Sequence, residues 1–512
     1  MTSLFLLAAA LQTVTGTTAL WIDPAWSDSA GPRPGAARVI VWFDRQLLNG
    51  GDDYTRFTSA RSTARRSELR AQIIDSLKAL SESSWSRAAS TVNRLERDGV
   101  IANCRRHWIV NGFTCDLPAG DPSRLAEVPG AARAFRAFGR PPASSQAAPA
   151  PYTQTCNSRE DSYQPAIERA PWNARLLGAD RVWSELGLTG RGVMNVVHDF
   201  GWTFGPAPIR STLWCNPRET AGNGIDDDGN GFVDDVHGFD FDRGDAVLIG
   251  NVSLLPGGVT HGDLTAAVLA GREIVDTAIV VGIAPGSRWA AVVSSLSIEP
   301  GVEWALEQGA DTYSMSFSLA GLGQLRAHWR RVLEHGALAG LFFVSGAGNF
   351  GNPNAPNYVP IPEQMRIPED IPFAVLGVAG VGRNEQRPIF SSQGPVLWRT
   401  VEYDEGEVAK PDVTTVNTNI LAVDSAGRAS YLPPNGWSGN SFAGPHIAGV
   451  IALMLEANAD LTPWQARAIL VATARDVEAP GADMQTGAGV VDAYRAVSAV
   501  QQAQKGNRAS SK

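Results

Sequence analysis

The stretch Gly439-Asn440-Ser441-Phe442-Ala443-Gly444-Pro445-His446 places a serine in a turn of small residues, directly before an apolar run. The run, residues 447–454, predicts a buried helix. A serine at such a helix start lies beside unpaired backbone N–H groups and the positive end of the helix dipole, which favour a developing negative charge. Ser441 is therefore a candidate nucleophile, although a serine in this position is more often only the helix N-cap.

A carboxylate follows a short apolar strand upstream. Residues 193–197 predict a buried strand, Asp199 follows its end, and Gly201 permits a turn there. A buried carboxylate is costly unless it is paired. Asp199 is therefore expected either to cap a turn or to orient an imidazole.

A helix of small and apolar residues follows His261, so this ring can face a cleft from a rigid support. Six other histidines compete with it. His198 adjoins Asp199, but consecutive strand residues point to opposite faces, so it is poorly placed to pair with that carboxylate. His328 and His335 lie in an Arg-rich helix that we expect to be solvated. His261 is thus the best candidate for a general base.

An amide completes the set of candidate groups. The apolar strand of residues 341–344 runs into a glycine-rich turn that presents Asn349. The side-chain N–H of an asparagine can donate to the oxyanion that forms during acyl transfer. The alternative is an ordinary asparagine in a left-handed turn, which is common after glycine.

These candidates occur in the order and local contexts of the subtilisin-like serine proteases (subtilases), which the chain resembles over residues 172–500: Asp199, His261, Asn349 and Ser441. The resemblance implies an α/β fold with a mainly parallel central sheet and helices on both faces. It also implies a serine endopeptidase in which Ser441 attacks, His261 transfers the proton and Asp199 holds the ring. Asn349 and the Ser441 N–H would bind the oxyanion. Protein or peptide substrates are implied, and no organic cofactor is.

The segment 315–318 resembles the strand along which subtilases pair a substrate backbone, and residues 345–348 are expected to line the same groove. The residues expected to contact substrate are Ser316, Phe317, Ser318, Gly346, Ala347 and Gly348. Several positions depart from the family pattern: Phe200, Asp263, Ser318, Asn440 and Phe442. Because all four chemical residues are retained, these departures bear on subsite shape and rate more than on reaction class.

Composition agrees with a folded globular protein. The chain has 512 residues, of which 44% are hydrophobic and 19% charged, enough for a sizeable core and about two domains. Its net charge of -9 argues against a general nucleic-acid surface. After the N-terminal apolar run, no stretch is apolar and long enough for a stable membrane span.

The N-terminal residues 1–19 resemble a secretory signal peptide, with an apolar run and small residues near its end. They lack a basic residue before the run, so an ordinary buried segment is the alternative. Export would place the protein in the periplasm or outside the cell, where four cysteines suit two disulfides. We expect Cys104 to pair with Cys115 and Cys156 with Cys215, since separate domains would then survive cleavage, although sequence alone does not fix connectivity.

Residues 20–139 predict a small α+β unit that resembles the inhibitory propeptide of subtilases, particularly in residues 110–113 and 125–130. Residues 140–155 form a Pro/Ala/Ser-rich linker of the kind that proteases reach. The catalytic domain is assigned to residues 156–500 and a polar tail to 501–512. The predicted segments of the small unit are a strand at 37–43, a helix at 62–98, a strand at 107–117 with a bulge or turn at Gly112, a short helix at 122–128 and a strand ending at 138.

Charge divides at the linker. Residues 1–150 carry 18 basic and 13 acidic side chains, a net charge of +5, so the remainder carries -14. Opposite charge favours association of the two parts. We expect the first part to assist folding as a zymogen segment and then to be cut in the linker by the enzyme itself. A permanent N-terminal interaction domain is the alternative.

An acidic loop at residues 222–235 holds five aspartates between glycines. Part of it follows the start of an oxygen-ligand calcium loop, although position twelve is His237 and not glutamate. A solvated acidic loop is the alternative. The expected Ca²⁺ ligands are Asp226, Asp228, Asn230, the Phe232 carbonyl and Asp234.

Two other functions remain open. A catalytically impaired subtilisin-like protein that binds peptides is possible because the segments around Asp199 and His261 depart from the family pattern. A related peptidase could instead use a carboxylate base and an acidic oxyanion donor. The presence of His261 and Asn349 argues against that second chemistry.

Overall fold

The computed structural model describes residues 19–26, 37–137, 163, 165, 167–249, 254–274, 276–295, 297–430 and 436–510. The predicted linker lies outside these residues, as does the predicted signal peptide except for residue 19. Those two predictions, and the domain boundaries that depend on them, stay predictions.

The N-terminal unit, which we define as the described residues up to 137, is a five-stranded sheet with a long helix. Its elements are β1 (Trp21–Ile22), β2 (Ala37–Phe43), α1 (Asp53–Ala60), α2 (Arg66–Arg97), β3 (Ala102–His107), β4 (Gly112–Leu117) and β5 (Ala131–Ala137). The strand order is β1-β5-β2-β4-β3. All neighbours are antiparallel except β1 and β5.

Strand β2 shows why both faces of this sheet are covered. Val39 and Val41 pack in a cluster with Val92 of α2. Ile40 and Trp42 alternate with them and belong to a second cluster, formed mostly by the larger part of the chain. Since side chains alternate between the faces of a strand, one face of the sheet is covered by α2 and the other by the rest of the protein.

The predicted strand at 107–117 is in fact a hairpin. β3 ends at His107 and β4 begins at Gly112, and Asn111 between them has a left-handed backbone with φ of 33°. The side-chain amide of Asn111 donates to the Arg45 carbonyl, which fixes the turn. The predicted short helix at 122–128 is a 3-10 turn, Ser123–Glu127.

The larger part of the chain is built on a second, parallel sheet. Its strands are β6 (Met194–His198), β7 (Gly238–Asp240), β8 (Arg288–Val293), β9 (Thr312–Met315), β10 (Phe342–Gly346), β11 (Val375–Val381) and, after a hairpin of β12 (Val396–Arg399) and β13 (Asp404–Val408), β14 (Val413–Val416). The order is β14-β11-β10-β9-β6-β8-β7, with every neighbouring pair parallel. A short hairpin joins β15 (Ala422–Val423) to β16 (Ala429–Ser430).

Helices cover both faces of this sheet, which confirms the predicted α/β fold. The helices are α3 (Trp172–Leu176), α4 (Ala179–Arg181), α5 (Ala207–Arg210), α6 (His261–Ala270), α7 (Glu299–Glu307), α8 (Leu325–Leu338), α9 (Ala443–Ala457), α10 (Pro463–Thr473) and α11 (Ala493–Ser510). α6, α9 and α11 pack in one apolar cluster and α7 and α8 in another. Within the residues described, no helix has the length and apolar character to cross a membrane.

The register of three central strands determines where the functional loops begin. His198 of β6 pairs with Met315 of β9, and Met315 pairs with Ser345 of β10. Because the strands are parallel, the residues that follow all leave the sheet at its carboxyl edge. Asp199 and Ser316 therefore emerge side by side.

The expectation that His328 and His335 are solvated is wrong. Both are at most 1% exposed, because the N-terminal unit covers α8. The Trp42 indole donates to His328 Nδ1 at 2.9 Å, and the Leu48 amide donates to His335 Nε2 at 3.3 Å. The arginines of this helix suggested a face exposed to solvent. The unit that covers this face lies more than two hundred residues away in the sequence, so the local pattern could not reveal it.

The predicted disulfide between Cys104 and Cys115 is also wrong. Both residues are free thiols on the neighbouring strands β3 and β4. Strand pairing, and not a covalent bond, keeps them together. Cys156 lies outside the described residues, so its pairing with Cys215 stays a prediction.

One carboxylate of α7 joins the larger part of the chain to the β3–β4 turn. Glu303 accepts hydrogen bonds from the backbone amides of Trp108 and, at 3.0 Å, Ile109. Its second oxygen lies 3.4 Å from His107 Nδ1. Glu303 is 6% exposed, so these bonds form away from water and should contribute strongly to docking.

Replacing Glu303 with alanine should loosen the N-terminal unit, since two buried amides would lose a charged acceptor. We expect the free energy of opening at this turn to fall by about 2–4 kcal/mol. Hydrogen exchange at the Trp108 and Ile109 amides measures it. The control is Glu307→Ala. Glu307 lies on α7 like Glu303, but it forms only a surface ion pair with Lys78 of α2, so its loss should change the hydrogen exchange of these amides little. Equal protection in both variants would contradict the assignment.

Candidate active site

Ser441 lies in a 3-10 turn, Asn440–Phe442, that leads directly into α9. Gly439 before it has φ of 152°, a conformation that side chains disfavour. The approach of this turn to β10 is very close: a Cβ on Gly346 would lie 1.9 Å from the Asn440 carbonyl oxygen. Glycine at 346 is therefore required for the serine turn to reach the sheet.

Asn440, one of the departures from the family pattern, fastens this turn to its surroundings. Its backbone N–H donates to Asn349 Oδ1 at 2.8 Å, and its side-chain amide donates to the Gly348 carbonyl and to Ser391 Oγ. Its own Oδ1 accepts from Asn417 Nδ2 at 2.8 Å. Because Asn349 Oδ1 is occupied, its amide NH₂ is the group left to face the cleft.

Asp199 and His261 form a hydrogen-bonded pair. His261 Nδ1 lies 2.7 Å from Asp199 Oδ2, and the Phe200 backbone N–H donates to Asp199 Oδ1 at 2.8 Å. Asp199 is 2% exposed. Burial disfavours a charged imidazole, but the charge of Asp199 and its hydrogen bond outweigh burial, so the pKa of His261 lies above its ordinary value. Nε2 is the ring nitrogen left for a reacting group.

The start of α6 holds this imidazole in place. Thr260 is the N-cap, and its hydroxyl accepts from the Asp263 N–H while the Asp263 carboxylate accepts from the Thr260 N–H. The same carboxylate accepts from the Thr203 hydroxyl at 2.6 Å. Asp263, a second departure from the family pattern, thus couples the helix that begins at His261 to the loop after Asp199.

Ser441 and His261 lie on neighbouring elements, since α6 contacts the 440–442 turn. Ser441 Oγ makes its one hydrogen bond, within the described part of the chain, to the Ser316 carbonyl at 3.5 Å, and none to His261. In return the Ser316 hydroxyl donates to the Ser441 carbonyl at 2.8 Å. A contact of 3.5 Å constrains the serine hydroxyl weakly.

Two other histidines near the site are engaged elsewhere. His198 Nε2 bonds to the Ser294 carbonyl at 2.6 Å, and burial lowers its pKa to about 4. His446 in α9 bonds to the Phe442 carbonyl and to Asn173, and burial likewise lowers its pKa to about 4. Both are neutral at physiological pH and act as structural groups.

A cleft of about 110 Å³ lies beside Ser441. Its lining comprises Ser316, Phe317, Ser318, Gly346, Gly348, Asn349, Phe350 and Ser441. Ala347 is placed differently: it is fully buried behind the cleft and its N–H bonds to the Val378 carbonyl. Phe350 was not predicted from the sequence, although it follows Asn349 directly.

In the acidic loop, two of the aspartates expected to bind calcium instead accept hydrogen bonds from the backbone of the loop. The Asp226 carboxylate accepts the backbone N–H groups of Asn230 and Gly231, and Asp234 accepts those of residues 222–224. Phe232 packs into an aromatic cluster with Phe239. Asp226 and Asp234 are therefore occupied in forming the loop itself.

A different acidic cluster forms at the base of this loop. Oxygens of Glu219, Asp228 and Asp235 lie within 4.8 Å of one another and could hold a metal ion. Burial and the neighbouring carboxylates raise the pKa of both Glu219 and Asp235. Glu219 Oε2 is buried without a hydrogen-bond partner, as expected for a ligand atom. Only Asp228 of these three was predicted, because Asp235 is brought to it by the folding of the loop.

Curated relatives resemble this chain at low identity. Bacillopeptidase F of Bacillus subtilis (strain 168) is 24% identical over 460 residues, which cover 85% of this chain and 29% of that protein. Subtilisin DY of Bacillus licheniformis is 28% identical over 250 residues, 46% of this chain and 79% of that protein. Mycosin-1 of Mycobacterium tuberculosis (strain ATCC 25618 / H37Rv) is 27% identical over 278 residues, 46% of this chain and 60% of that protein. The chain thus spans less than a third of bacillopeptidase F.

Among solved structures, the crystal structure of MycP1 with its N-terminal propeptide removed is similar to this one. The TM-score is 0.44 at 22% sequence identity, and the match covers 64% of this chain and 98% of that chain. The subtilase family model (Peptidase_S8) matches residues 154–489, about two thirds of the sequence. This chain therefore belongs to the subtilase family of serine-type peptidases.

Proposed function

We propose that this chain is a serine endopeptidase with Asp199, His261 and Ser441 as its catalytic triad. The observation that carries the proposal is the 2.7 Å hydrogen bond between Asp199 and His261 at the start of α6, a helix that contacts the serine turn. A buried carboxylate paired with a partly exposed imidazole beside a serine is the arrangement that activates a hydroxyl for acyl transfer.

In this mechanism Ser441 Oγ attacks the peptide carbonyl carbon while its proton passes to His261 Nε2. Asp199 stays ionised, orients the ring through Nδ1–H and stabilises the imidazolium. The imidazolium then protonates the leaving amine, which leaves an acyl group on the serine. Water, deprotonated by the same ring, attacks that ester and releases the second product.

The oxyanion would be bound by the Asn349 amide and the Ser441 backbone N–H. Asn349 is well prepared for this role, because its carbonyl oxygen already accepts from Asn440. A donor held in advance stabilises the transition state without reorganising; one such donor contributes about 3–4 kcal/mol, a magnitude taken from subtilisin itself.

A catalytically impaired, peptide-binding protein is the second candidate. The observation in its favour is that the Ser441 hydroxyl bonds to the Ser316 carbonyl and not to His261. The first candidate is the better supported, because hydrogen bonds of catalytic groups are often loose before substrate binds.

We also propose that the N-terminal unit is a propeptide, that the chain cuts itself in the 140–155 linker, and that it is exported. The docked unit supports the first point: Arg66 of α2 pairs with Asp311 and donates to the Gly340 carbonyl at 2.7 Å. The opposite net charges of the two parts support association as well.

The acidic loop is proposed to bind Ca²⁺. Glu219, Asp228 and Asp235 would supply its carboxylate oxygens, in place of most of the ligands expected from the sequence. Three carboxylates so close repel one another, and a hard divalent cation would relieve that repulsion.

Ser441→Ala should lower kcat on casein by a factor on the order of 10⁶, since the nucleophile is removed. The variant should also stay full length, because self-cleavage needs the same hydroxyl, and a serine-directed phosphonate should no longer label it. Ser184→Ala, an exposed serine on another helical segment, is the control. Casein cleavage by the pure Ser441→Ala protein at the unmodified rate would exclude this nucleophile.

Activity should rise with pH through the pKa of His261, because only the neutral ring accepts the serine proton. That pKa is raised, so the midpoint of the acid limb of kcat/KM should lie above 6.5. Asp199→Asn removes the charge that raises it, so the midpoint should move down while kcat falls by about 10⁴. Asp227→Asn, in the exposed acidic loop, serves as the matched control. An acid limb unmoved by Asp199→Asn would contradict the pairing.

Calcium should raise the melting temperature of the protein if the cluster binds it. At a concentration of 100 times the Kd, binding adds about 2.7 kcal/mol to the free energy of unfolding. Asp235→Asn should abolish the shift, whereas Asp226→Asn, whose carboxylate faces backbone amides, should keep most of it. A melting temperature that neither calcium nor a chelator changes would remove the proposal.

A further inference from the structure

Two phenyl rings form the apolar part of the wall of the cleft beside Ser441. Phe317 and Phe350 line it together with Gly346 and Gly348, which leave room between the rings. The cleft also contains Ser441 and Asn349. If Ser441 and Asn349 act as proposed, the side chain that enters this cleft is that of the residue whose carbonyl the serine attacks.

A buried acid lies behind one wall of this cleft. Ser318 Oγ donates to Glu369 Oε1 at 2.6 Å, and the Arg366 backbone N–H donates to the same oxygen at 3.1 Å. Glu369 is fully buried, and its Oε2 has no hydrogen-bond partner. An unpartnered buried oxygen of this kind is costly, which suggests that it has a use.

Nearby cations are already engaged. Arg326 bonds to Asp370 at 2.6 Å, and Lys410 bonds to Asp412 at 2.7 Å. The Arg366 guanidinium lies 4.0 Å from the centre of the Phe350 ring, and its Nε donates to the Glu363 carbonyl. Within the described residues no salt bridge reaches Glu369. Among the residues that the structure describes, the acid therefore has no ionic partner.

The protonation of Glu369 agrees with this isolation. Burial, with a smaller effect of the Asp370 charge, raises the pKa of Glu369 to about 8. At neutral pH it is mostly a neutral acid. A cation that enters the cleft would favour the ionised form of Glu369, and the proton of the acid would pass to solvent.

We propose that Glu369, acting with Ser318, selects substrates with a lysine or arginine before the cut bond. The aliphatic stem of such a side chain suits the walls of Phe317 and Phe350. Its terminal N–H groups would bond to Ser318 Oγ and to the acid behind it. This inference rests on the proposed peptidase function and assigns the substrate class of the same site.

The test compares two peptides that differ only in the residue before the cut bond: lysine, or norleucine, which has the same stem without the ammonium group. The full chain is used after any self-processing. We expect kcat/KM to be at least about tenfold higher for lysine, because the buried acid is left unpaired by norleucine. Glu369→Gln should reduce this ratio at least about tenfold while changing norleucine cleavage little.

The matched control is Glu363→Gln, which removes an exposed carboxylate from the same segment and should keep the ratio. Ser318→Gly keeps the acid but removes one of the two proposed hydrogen-bond acceptors, so it should lower the lysine preference less than Glu369→Gln does. If Glu369→Gln fails to fold, the unmodified enzyme still decides: faster cleavage of the norleucine peptide overturns the inference. Cleavage of both peptides with a ratio unchanged by Glu369→Gln does the same. Cleavage of neither, without phosphonate labelling, overturns the proposed function and the inference with it.

Discussion

The parallel register of β6, β9 and β10 is the constraint on which the site depends. It lines up His198, Met315 and Ser345, so that the segments that follow these three strands leave the sheet at the same edge. A parallel sheet delivers groups to that edge from strands that are distant in sequence. The remaining component, the serine turn, comes from a helix start and approaches through the space left by Gly346. Chemistry at this edge thus follows from strand pairing before any side chain is considered.

The contact between the N-terminal unit and the rest of the chain is unusually polar for a buried surface. The Trp42 indole donates to the buried ring of His328 at 2.9 Å, and Arg331, fully buried, donates to the Leu48 carbonyl. Buried charges add little net stability, but removing one partner is costly. Such a contact specifies one docking orientation more than it maximises affinity. That balance suits the propeptide role proposed for this unit.

Sequence reasoning worked where chemistry and local pattern coincide. The helix after Ser441, the helix at His261 and the strand before Asp199 were all predicted, since small residues and apolar runs are local signals. It failed where a distant segment decides the environment. The burial of His335, the role of Asp235 in the acidic cluster and the position of Glu369 behind Ser318 all depend on contacts across the fold. Composition and periodicity carry no information on such contacts.

The tight approach of Gly346 to the Asn440 carbonyl has a consequence for attempts to redesign this protein. At the floor of the cleft, the backbone of Gly346 packs directly against the backbone of Asn440. We therefore expect most substitutions of Gly346 to prevent folding and few of them to change selectivity. Ser318 and Phe350 meet the open space with side chains and can change without moving the main chain. Substitutions that change what the cleft accepts are therefore expected in its walls, whereas its floor is fixed by geometry.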